Sequence, residues 1–199
     1  MKKKVVFNVT FTAVMIGLAV AFDFVAGLIP FLKFPYGGCI SFAMLPLVLI
    51  SIMCGPVYGI IGGSLFGLIN YFIDGYGFNI ISFLLDYIVA FATLAIISVF
   101  RKKILEGKKG YFVLGFALGL NLRWISSSIS GVLNAASFGI DGPFLESIFG
   151  NGKTSLLYIC IYSFILYNMP YIFASGVLCI VLGLIMYNSV IMRKNGENE

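Results

Sequence analysis

Three ionisable residues, Asp23, Asp86 and Arg123, interrupt stretches of the sequence that are otherwise apolar. A charge at the centre of a membrane helix costs roughly 2.5 to 3.5 kcal/mol on insertion scales, so each is a candidate functional residue. The carboxylate of Asp86 would be a suitable counter-ion for a cationic or amine-bearing ligand, and the adjacent Tyr87 would add a ring face or a hydroxyl. The sequence therefore predicts a ligand site around Asp86.

Asp86 also has a purely structural interpretation, an internal ion pair with Arg123 that only holds helices together. Arg123 lies about half-way along its own apolar stretch, so such a pair is feasible. Asp23 lies near the end of the first apolar stretch, where a carboxylate reaches interfacial water. We expect Asp23 to be a helix-packing or snorkelling residue rather than a ligand contact, and Arg123 to orient the site or brace its helix.

The composition argues against catalysis at these residues. The chain has no histidine, and its four cysteines form no Cys-x-x-Cys pair, so we expect no metal site, no cofactor and no catalytic residues. No nucleophile, base and orienting acid occur together, which disfavours an enzyme. The net charge of +5 comes from loop residues that set membrane topology, so nucleic acid is not an expected partner.

The 199 residues are 60% hydrophobic and 11% charged, which is typical of an integral membrane protein and leaves no room for a second, soluble domain. We expect one all-α bundle over residues 1–199 in a lipid bilayer. The lysine-rich amino terminus opens the first span rather than a cleaved signal. At about 20 residues per crossing, six transmembrane helices are predicted at about 5–30, 40–53, 57–73, 80–100, 111–133 and 154–192.

Two of these assignments have alternatives. The second and third segments are short enough to be one helix, and the last is long enough to be two, divided at Pro170. Six spans with both termini in the cytoplasm place ten basic residues inside and only Lys33 and Lys153 outside, whereas both alternatives move basic residues out. We therefore expect six spans, with the last one kinked near Pro170 or projecting beyond the membrane, and a connecting loop over 137–153.

Small residues recur every four positions on two of the predicted helices. Gly59, Gly63 and Gly67 form one stripe on the third span, and Ala13 and Gly17 form another on the first. Such stripes let helix backbones approach closely within a membrane. We expect the glycine stripe to pack inside the bundle, while for Ala13 and Gly17 internal packing and docking on a partner protein are equally compatible with the pattern.

Two further clusters are unusually polar for membrane helices. Four serines lie within 126–130, and most of them are expected to bond carbonyls of the preceding turn, with at least one facing the bundle interior. An aromatic cluster with one asparagine follows in the last span, where the amide is costly unless paired. It comprises Tyr158, Tyr162, Tyr167, Asn168 and Tyr171.

Several of these segments resemble those of one protein family, the thiamine-specific S components of energy-coupling factor (ECF) transporters. The matching segments occur in the same order and with similar spacing over nearly the whole chain. The segments that carry the resemblance are 36–41, the glycine-rich third span, 84–92, Arg123 with Ser130-Gly131, the following 138–142, and 161–163 leading to Tyr167-Asn168.

The resemblance implies a six-helix, prokaryotic cell-membrane subunit that captures a vitamin at its outer face. A transmembrane coupling subunit and two cytoplasmic ATPases would supply the energy, because the family's S component has no ATPase, and no phosphate-binding Walker sequence occurs here. Ala13 and Gly17 match the family's docking surface on the first helix, which favours partner docking.

The resemblance also assigns a pocket to Asp86, Tyr87, Ser127, Gly131, Tyr162 and Asn168. Ser127 stands where the family has a histidine and Ala135 where it commonly has a tryptophan. These changes predict either an altered, thiamine-like ligand or thiamine held by other rings such as Tyr36, Tyr76 or Phe138. Thiamine or a thiamine-related compound is the expected ligand. A different water-soluble vitamin remains an alternative, as does a membrane structural or assembly protein in which Asp86 and Arg123 merely pair.

Overall fold

The computed structural model describes residues 2–34, 37–74 and 79–192. Within these ranges the chain is helical, and its only strand-like feature is an isolated bridge between Lys33 and Cys39. The longer helices are α1 (Lys2–Gly27), α2 (Met44–Cys54), α3 (Pro56–Asp74), α4 (Ile80–Leu105), α5 (Lys109–Leu133), α6 (Gly142–Phe149) and α7 (Leu156–Ile185), followed by a further helical turn (Tyr187–Met192).

Five of these helices, α1, α3, α4, α5 and α7, are long and apolar enough to cross a membrane. They are candidate membrane spans at five of the six predicted positions, and they confirm the all-helical membrane class. The segment predicted at 40–53 contains α2, whose 11 residues would span only about 16 Å as a helix. Residues 44–53 are all buried, so α2 is a central helix surrounded by the others.

The two alternative divisions of the chain are both wrong. Gly55, with φ of 102°, ends α2 and separates it from α3, a conformation that glycine adopts without strain. Helix α7 continues past Pro170, where the missing N–H removes a helical hydrogen bond. The residues just before that proline, Tyr162–Asn168, adopt the wider π-helical form, which accommodates the proline without dividing the helix.

The connection predicted over 137–153 contains a helix that the sequence analysis missed. Helix α6 begins where the side chain of Asp141 accepts a hydrogen bond from the Phe144 backbone N–H at 3.1 Å, and it ends at Gly150, with φ of 95°. Capping residues and an early proline are ordinary helix-start signals. We misassigned the segment because these signals enclose only eight residues, among glycines typical of loops.

The glycine stripe of α3 packs inside the bundle, as predicted. A methyl group added at Gly67 would overlap the backbone carbonyl of Tyr87, and one at Gly63 would overlap the carbonyl of Phe91. The absence of side chains therefore brings the α3 backbone directly against the α4 backbone. This contact fixes the part of α4 that carries Asp86.

The bundle has two different ends. At one end, Arg101 donates from Nε to the Ile52 carbonyl at 2.6 Å and from a terminal nitrogen to the Met53 carbonyl at 3.1 Å. These bonds satisfy carbonyls that the end of α2 leaves without helical partners. The Tyr187 hydroxyl closes the same end by donating to the Ile104 carbonyl. The opposite end contains a cavity.

Candidate ligand-binding site

The cavity lies between the helices at the end opposite Arg101. It encloses about 820 Å³ of empty space, part of which is open to solvent. Its polar and charged wall comes from α1, α3, α4, α5 and α7 together with the segment around 37–39. The lining residues are Asp23, Gly37, Gly38, Cys39, Asn70, Ser82, Asp86, Tyr87, Phe91, Arg123, Ser127, Gly131, Phe138, Ile140, Tyr162, Ser163, Tyr167, Asn168 and Tyr171.

Asp86 is held by two serine hydroxyls from different helices. Ser82, one turn earlier on α4, donates to Asp86 Oδ2 at 2.7 Å, and Ser130 on α5 donates to the same oxygen at 2.5 Å. Hydrogen bonds to a charged acceptor are stronger than neutral ones, so they offset part of the cost of burying a carboxylate. The side chain is thereby fixed in the cavity wall.

The local helix geometry around Asp86 is unusual. Residues Phe83–Val89 are π-helical, a form that is rare overall and frequent at functional sites. Ser126 on α5 donates to the Leu85 carbonyl at 2.6 Å, which ties this stretch to the neighbouring helix. The Tyr87 ring is buried and packs edge-to-face on Tyr71, with centroids 5.2 Å apart.

The second polar wall is built on α7. Asn168 donates to the Ser163 carbonyl at 2.9 Å and accepts from the Tyr171 hydroxyl at 2.8 Å, so this buried amide is paired, as its cost in a membrane requires. Gly131 on α5 makes room for Ser163, because a methyl group there would overlap the serine hydroxyl. Trp124 joins the same two helices by donating to the Phe164 carbonyl at 2.8 Å.

Aromatic rings from α7 form one side of the cavity. Tyr162 and Tyr167 stack with an interplanar angle of 18° and centroids 6.2 Å apart, and Tyr167 meets Tyr171 edge-to-face. The Tyr167 hydroxyl accepts a hydrogen bond from the Gly38 backbone N–H at 3.1 Å, which links this wall to the segment after α1. Tyr158 packs instead against Phe149 of α6, outside the cavity lining.

The ion pair between Asp86 and Arg123 does not form. Among the described residues the one ion pair within 4.0 Å is Lys108 with Glu106, at the other end of the bundle. The Arg123 guanidinium instead lies over the Phe91 ring, 4.2 Å from its centroid. Arg123 therefore braces α5 against α4, as expected, while the serines supply the partners of Asp86.

The serines within 126–130 face the bundle interior, as predicted for at least one of them, but their hydrogen bonds differ from the prediction. All four are buried, and Ser126 and Ser130 donate across to α4 rather than to carbonyls of their own helix. Ser128 Oγ has no hydrogen-bond partner within the described part of the chain. The predicted bonds to their own helix were wrong because helix periodicity does not reveal that α4 presents the Leu85 carbonyl and the Asp86 carboxylate at this level.

Asp23, predicted to be a helix-packing or snorkelling residue rather than a ligand contact, lies in the cavity wall. It accepts a hydrogen bond from the Ser41 hydroxyl at 2.6 Å. The chain turns back after α1 and brings residue 41 against the last turns of that helix, where Ser41 holds the half-buried Asp23 in the cavity wall. The position of Asp23 in the cavity wall depends on how this connection folds, which the sequence pattern does not show.

All six residues that the resemblance assigns to the pocket lie in this one cavity, and two of the rings predicted to add contacts, Tyr36 and Tyr76, lie outside the described residues. Phe138 also lines it. Ala135 does not, since it packs in a small apolar cluster with Ile140 and Leu145. Asn70 also lines the cavity and was not predicted to do so. Its position, one turn beyond the glycine stripe on a buried helix face, could have indicated it. The described residues contain no group of three or more His, Cys, Asp or Glu side chains suited to a metal ion.

Comparisons with known proteins agree with this architecture. A family model described as thiamine transporter protein matches residues 12–193. The thiamine transporter ThiT of Bacillus subtilis (strain 168) is 32% identical over 179 residues, which cover 85% of this chain and 84% of the relative. A solved structure of ThiT from Listeria monocytogenes shares the fold, with a TM-score of 0.72 at 19% identity over 94% of this chain and 96% of that one. The chain belongs to the thiamine transporter protein family.

Proposed function

We propose that this chain is the substrate-binding S component of an ECF-type importer and that it captures thiamine, or a close relative of thiamine, in the cavity around Asp86. The observation that carries the proposal is the convergence of Asp86, Tyr87, Ser127, Gly131, Tyr162 and Asn168 on one cavity. Family membership supports the same ligand.

The chemistry of the cavity suits such a ligand. Thiamine carries a permanently cationic thiazolium ring and an aminopyrimidine ring. Asp86 uses Oδ2 for both serine hydroxyls, and its second oxygen is the acceptor we assign to the ligand. The stacked rings of Tyr162 and Tyr167 supply faces for an aromatic cation. Asn168 and Ser127 add neutral polar groups on the facing helices.

The two departures from the family pattern are less disruptive than the sequence suggested. Ala135 is packed against Ile140 and Leu145, so the missing indole is replaced there by apolar packing with the α6 region. Ser127 lines the cavity and offers a hydroxyl in place of an imidazole. We assign the remaining ring contacts to Tyr162, Tyr167 and Phe138.

We further propose six spans, with α2 contributing the short second one and both termini in the cytoplasm. The end of the bundle that contains Arg101 also contains Lys102, Lys103, Lys108 and Lys109, and the positive-inside rule assigns this end to the cytoplasm. The cavity then opens on the outer face of the cell membrane, where a captured vitamin would enter.

The proposed partners are a transmembrane coupling subunit and two cytoplasmic ATPases, and the chain itself needs no catalytic residues. Ala13 and Gly17 on α1 support docking of the coupling subunit, because both are exposed and a side chain added at Gly17 would meet nothing within 4 Å. The face of α1 that packs within the bundle is a different one, with Asn8, Thr12, Ile16 and Ala19 buried. A second membrane protein can therefore reach the stripe.

The proposal is tested by calorimetric titration of the purified protein with thiamine, comparing wild type with Asp86→Asn. Loss of a charge-assisted contact predicts binding weaker by about 10- to 100-fold. Glu106→Gln is the matched control, since it removes an exposed carboxylate at the opposite end of the bundle. Equal affinities for wild type and Asp86→Asn would contradict the assigned role. Wild type that binds another water-soluble vitamin but not thiamine would favour the alternative cargo.

A further inference from the structure

A network of hydrogen bonds reaches Asp86 from outside the cavity. Asn134, the first residue after α5, donates from Nδ2 to the Ser130 hydroxyl oxygen at 3.2 Å, and Ser130 donates to Asp86 Oδ2 at 2.5 Å. Asn79, the residue before α4, donates from its own amide nitrogen to Asn134 Oδ1. Neither asparagine lines the cavity. The network therefore connects the ends of two helices to the carboxylate in the cavity wall.

Backbone groups fix the direction of each hydrogen bond in this network. The side-chain oxygen of Asn79 accepts from the Ile81 N–H at 2.8 Å, which caps the start of α4, so the amide nitrogen is the atom that faces Asn134. Asn134 Nδ2 also donates to the Ser130 carbonyl at 3.0 Å, and a carbonyl can only accept. The nitrogen of the Asn134 amide therefore faces Ser130, and its oxygen faces Asn79.

This direction determines where the single proton of the Ser130 hydroxyl points. An amide NH2 group only donates, so Ser130 can accept from Asn134 but cannot donate to it. The hydroxyl proton is left for Asp86 Oδ2. Hydrogen bonds aligned in one direction polarise and strengthen one another, and bonds to a charged acceptor are the strong ones. Asn134 thus supports the hydrogen bond that fixes the Asp86 carboxylate.

The burial of the network distinguishes it from ordinary polar groups at helix ends. Ser130 is fully buried and Asn134 is 1% exposed, so water does not replace a partner that is lost. Asn121 on the same helix offers a contrast, because it is exposed and donates to the Ala117 carbonyl of its own helix at 2.8 Å. The amide of Asn134 instead connects α5 with α4 beside a buried carboxylate.

We propose that Asn134 and Asn79 are positioning residues for Asp86, acting through Ser130 without touching the ligand. The inference rests on the proposed function, in which the second oxygen of Asp86 meets a cationic ligand. With Oδ2 engaged by Ser130, the carboxylate is held in one orientation before the ligand arrives, which lowers the cost of binding. Residues outside the cavity then contribute to affinity.

The first test is a double-mutant cycle measured by calorimetric titration with thiamine. Asn134→Ala should weaken binding about 3- to 10-fold in the wild-type background. In the Asp86→Asn background the same change should alter affinity by less than about twofold, because its effect is transmitted through the carboxylate. Asn121→Ala is the matched control and should stay within about twofold of wild type. An equal loss for Asn134→Ala in both backgrounds would overturn the proposal, since a general disturbance of the fold does not depend on Asp86.

A second variant, Asn79→Asp, carries the test if Asn134→Ala does not fold. Aspartate caps a helix as well as asparagine does, so the start of α4 is retained. The change replaces the donor that faces Asn134 by an acceptor, which displaces the Asn134 amide from Ser130. Thiamine binding should then weaken about threefold or more. An added negative charge alone would have the opposite effect on a cationic ligand, so unchanged or tighter binding would contradict the positioning role.

The outcomes for wild type separate this inference from the proposed function. Wild type that binds no thiamine would remove the proposed function itself. Thiamine binding that is weakened by Asp86→Asn but by neither asparagine variant would leave that function intact and refute the positioning role alone.

Discussion

The two stripes of small residues in this protein have the same sequence pattern and opposite surroundings. On α3, Gly63 and Gly67 are in direct contact with backbone carbonyls of α4. On α1, Ala13 and Gly17 are exposed, and nothing lies within 4 Å of the position that a side chain would take at Gly17. One stripe is already used inside the bundle, and the other is available to a partner.

The comparison shows that small residues at this spacing predict close helix approach but not the identity of the second helix. Without a hydrophobic driving force, association in a membrane depends on van der Waals contact between closely approaching backbones. A stripe of small residues therefore promotes helix–helix contact wherever another helix can reach it. In this protein the α3 stripe also positions one wall of the cavity, because the α4 residues it contacts, Tyr87 and Phe91, both line that cavity.

The largest effect is expected for Gly67→Ala. The added methyl group overlaps the Tyr87 carbonyl, and backbone atoms cannot rotate out of the way, so the cost should be about 3 kcal/mol. Thermal unfolding in detergent should show a midpoint roughly 6 to 12 °C lower, together with weaker thiamine binding. Gly17→Ala is the matched control and should leave both unchanged. A stable Gly67→Ala protein with normal binding would contradict the proposed packing role.

A bulky residue on the α1 stripe should reduce thiamine uptake without changing thiamine affinity. Gly17→Leu or Ala13→Leu would prevent close approach of a partner helix, so cellular thiamine uptake with the coupling subunits present should fall about tenfold or more. Thiamine affinity of the purified variants should stay within about twofold of wild type. Val177→Leu, at a position exposed on α7, controls for a larger lipid-facing side chain. Normal uptake by both α1 variants would show that docking occurs elsewhere.

The smallest effect is expected at the far end of the α3 stripe. At Gly59 an added methyl group would overlap the Ser51 hydroxyl, which can rotate away, and would lie 2.9 Å from Ser51 Cβ and 3.1 Å from the Ala95 methyl, so a small shift of the neighbouring helices must complete the adjustment. Gly59→Ala should therefore cost about 1 kcal/mol, with a midpoint roughly 2 to 4 °C lower. Thiamine binding should be retained, because neither Ser51 nor Ala95 lines the cavity. A decrease in stability as large as that of Gly67→Ala would mean that the glycines of the stripe contribute equally to the packing.

Much of the fold could be predicted because its signals are local. Runs of apolar residues identify five spans directly, and the break at Gly55 follows from adjacent glycine and proline. Helix α6 escaped because its capping signals enclose so few residues. The predicted second span corresponds to an 11-residue helix that is buried by its neighbours, and local hydropathy does not distinguish such a helix from a longer lipid-facing one.

The sequence by itself determined the membrane class and the glycine contact surface, and it identified Asp86 as a candidate ligand residue, because an ionisable residue in an apolar helix needs a specific reason to be there. Only the tertiary structure decided which groups form hydrogen bonds with Asp86. Asp86 is bonded by Ser82 and Ser130 rather than paired with Arg123, and Asp23 turns out to share its cavity. Helical periodicity specifies the residues on one face, whereas the partner of that face depends on how segments distant in sequence pack together.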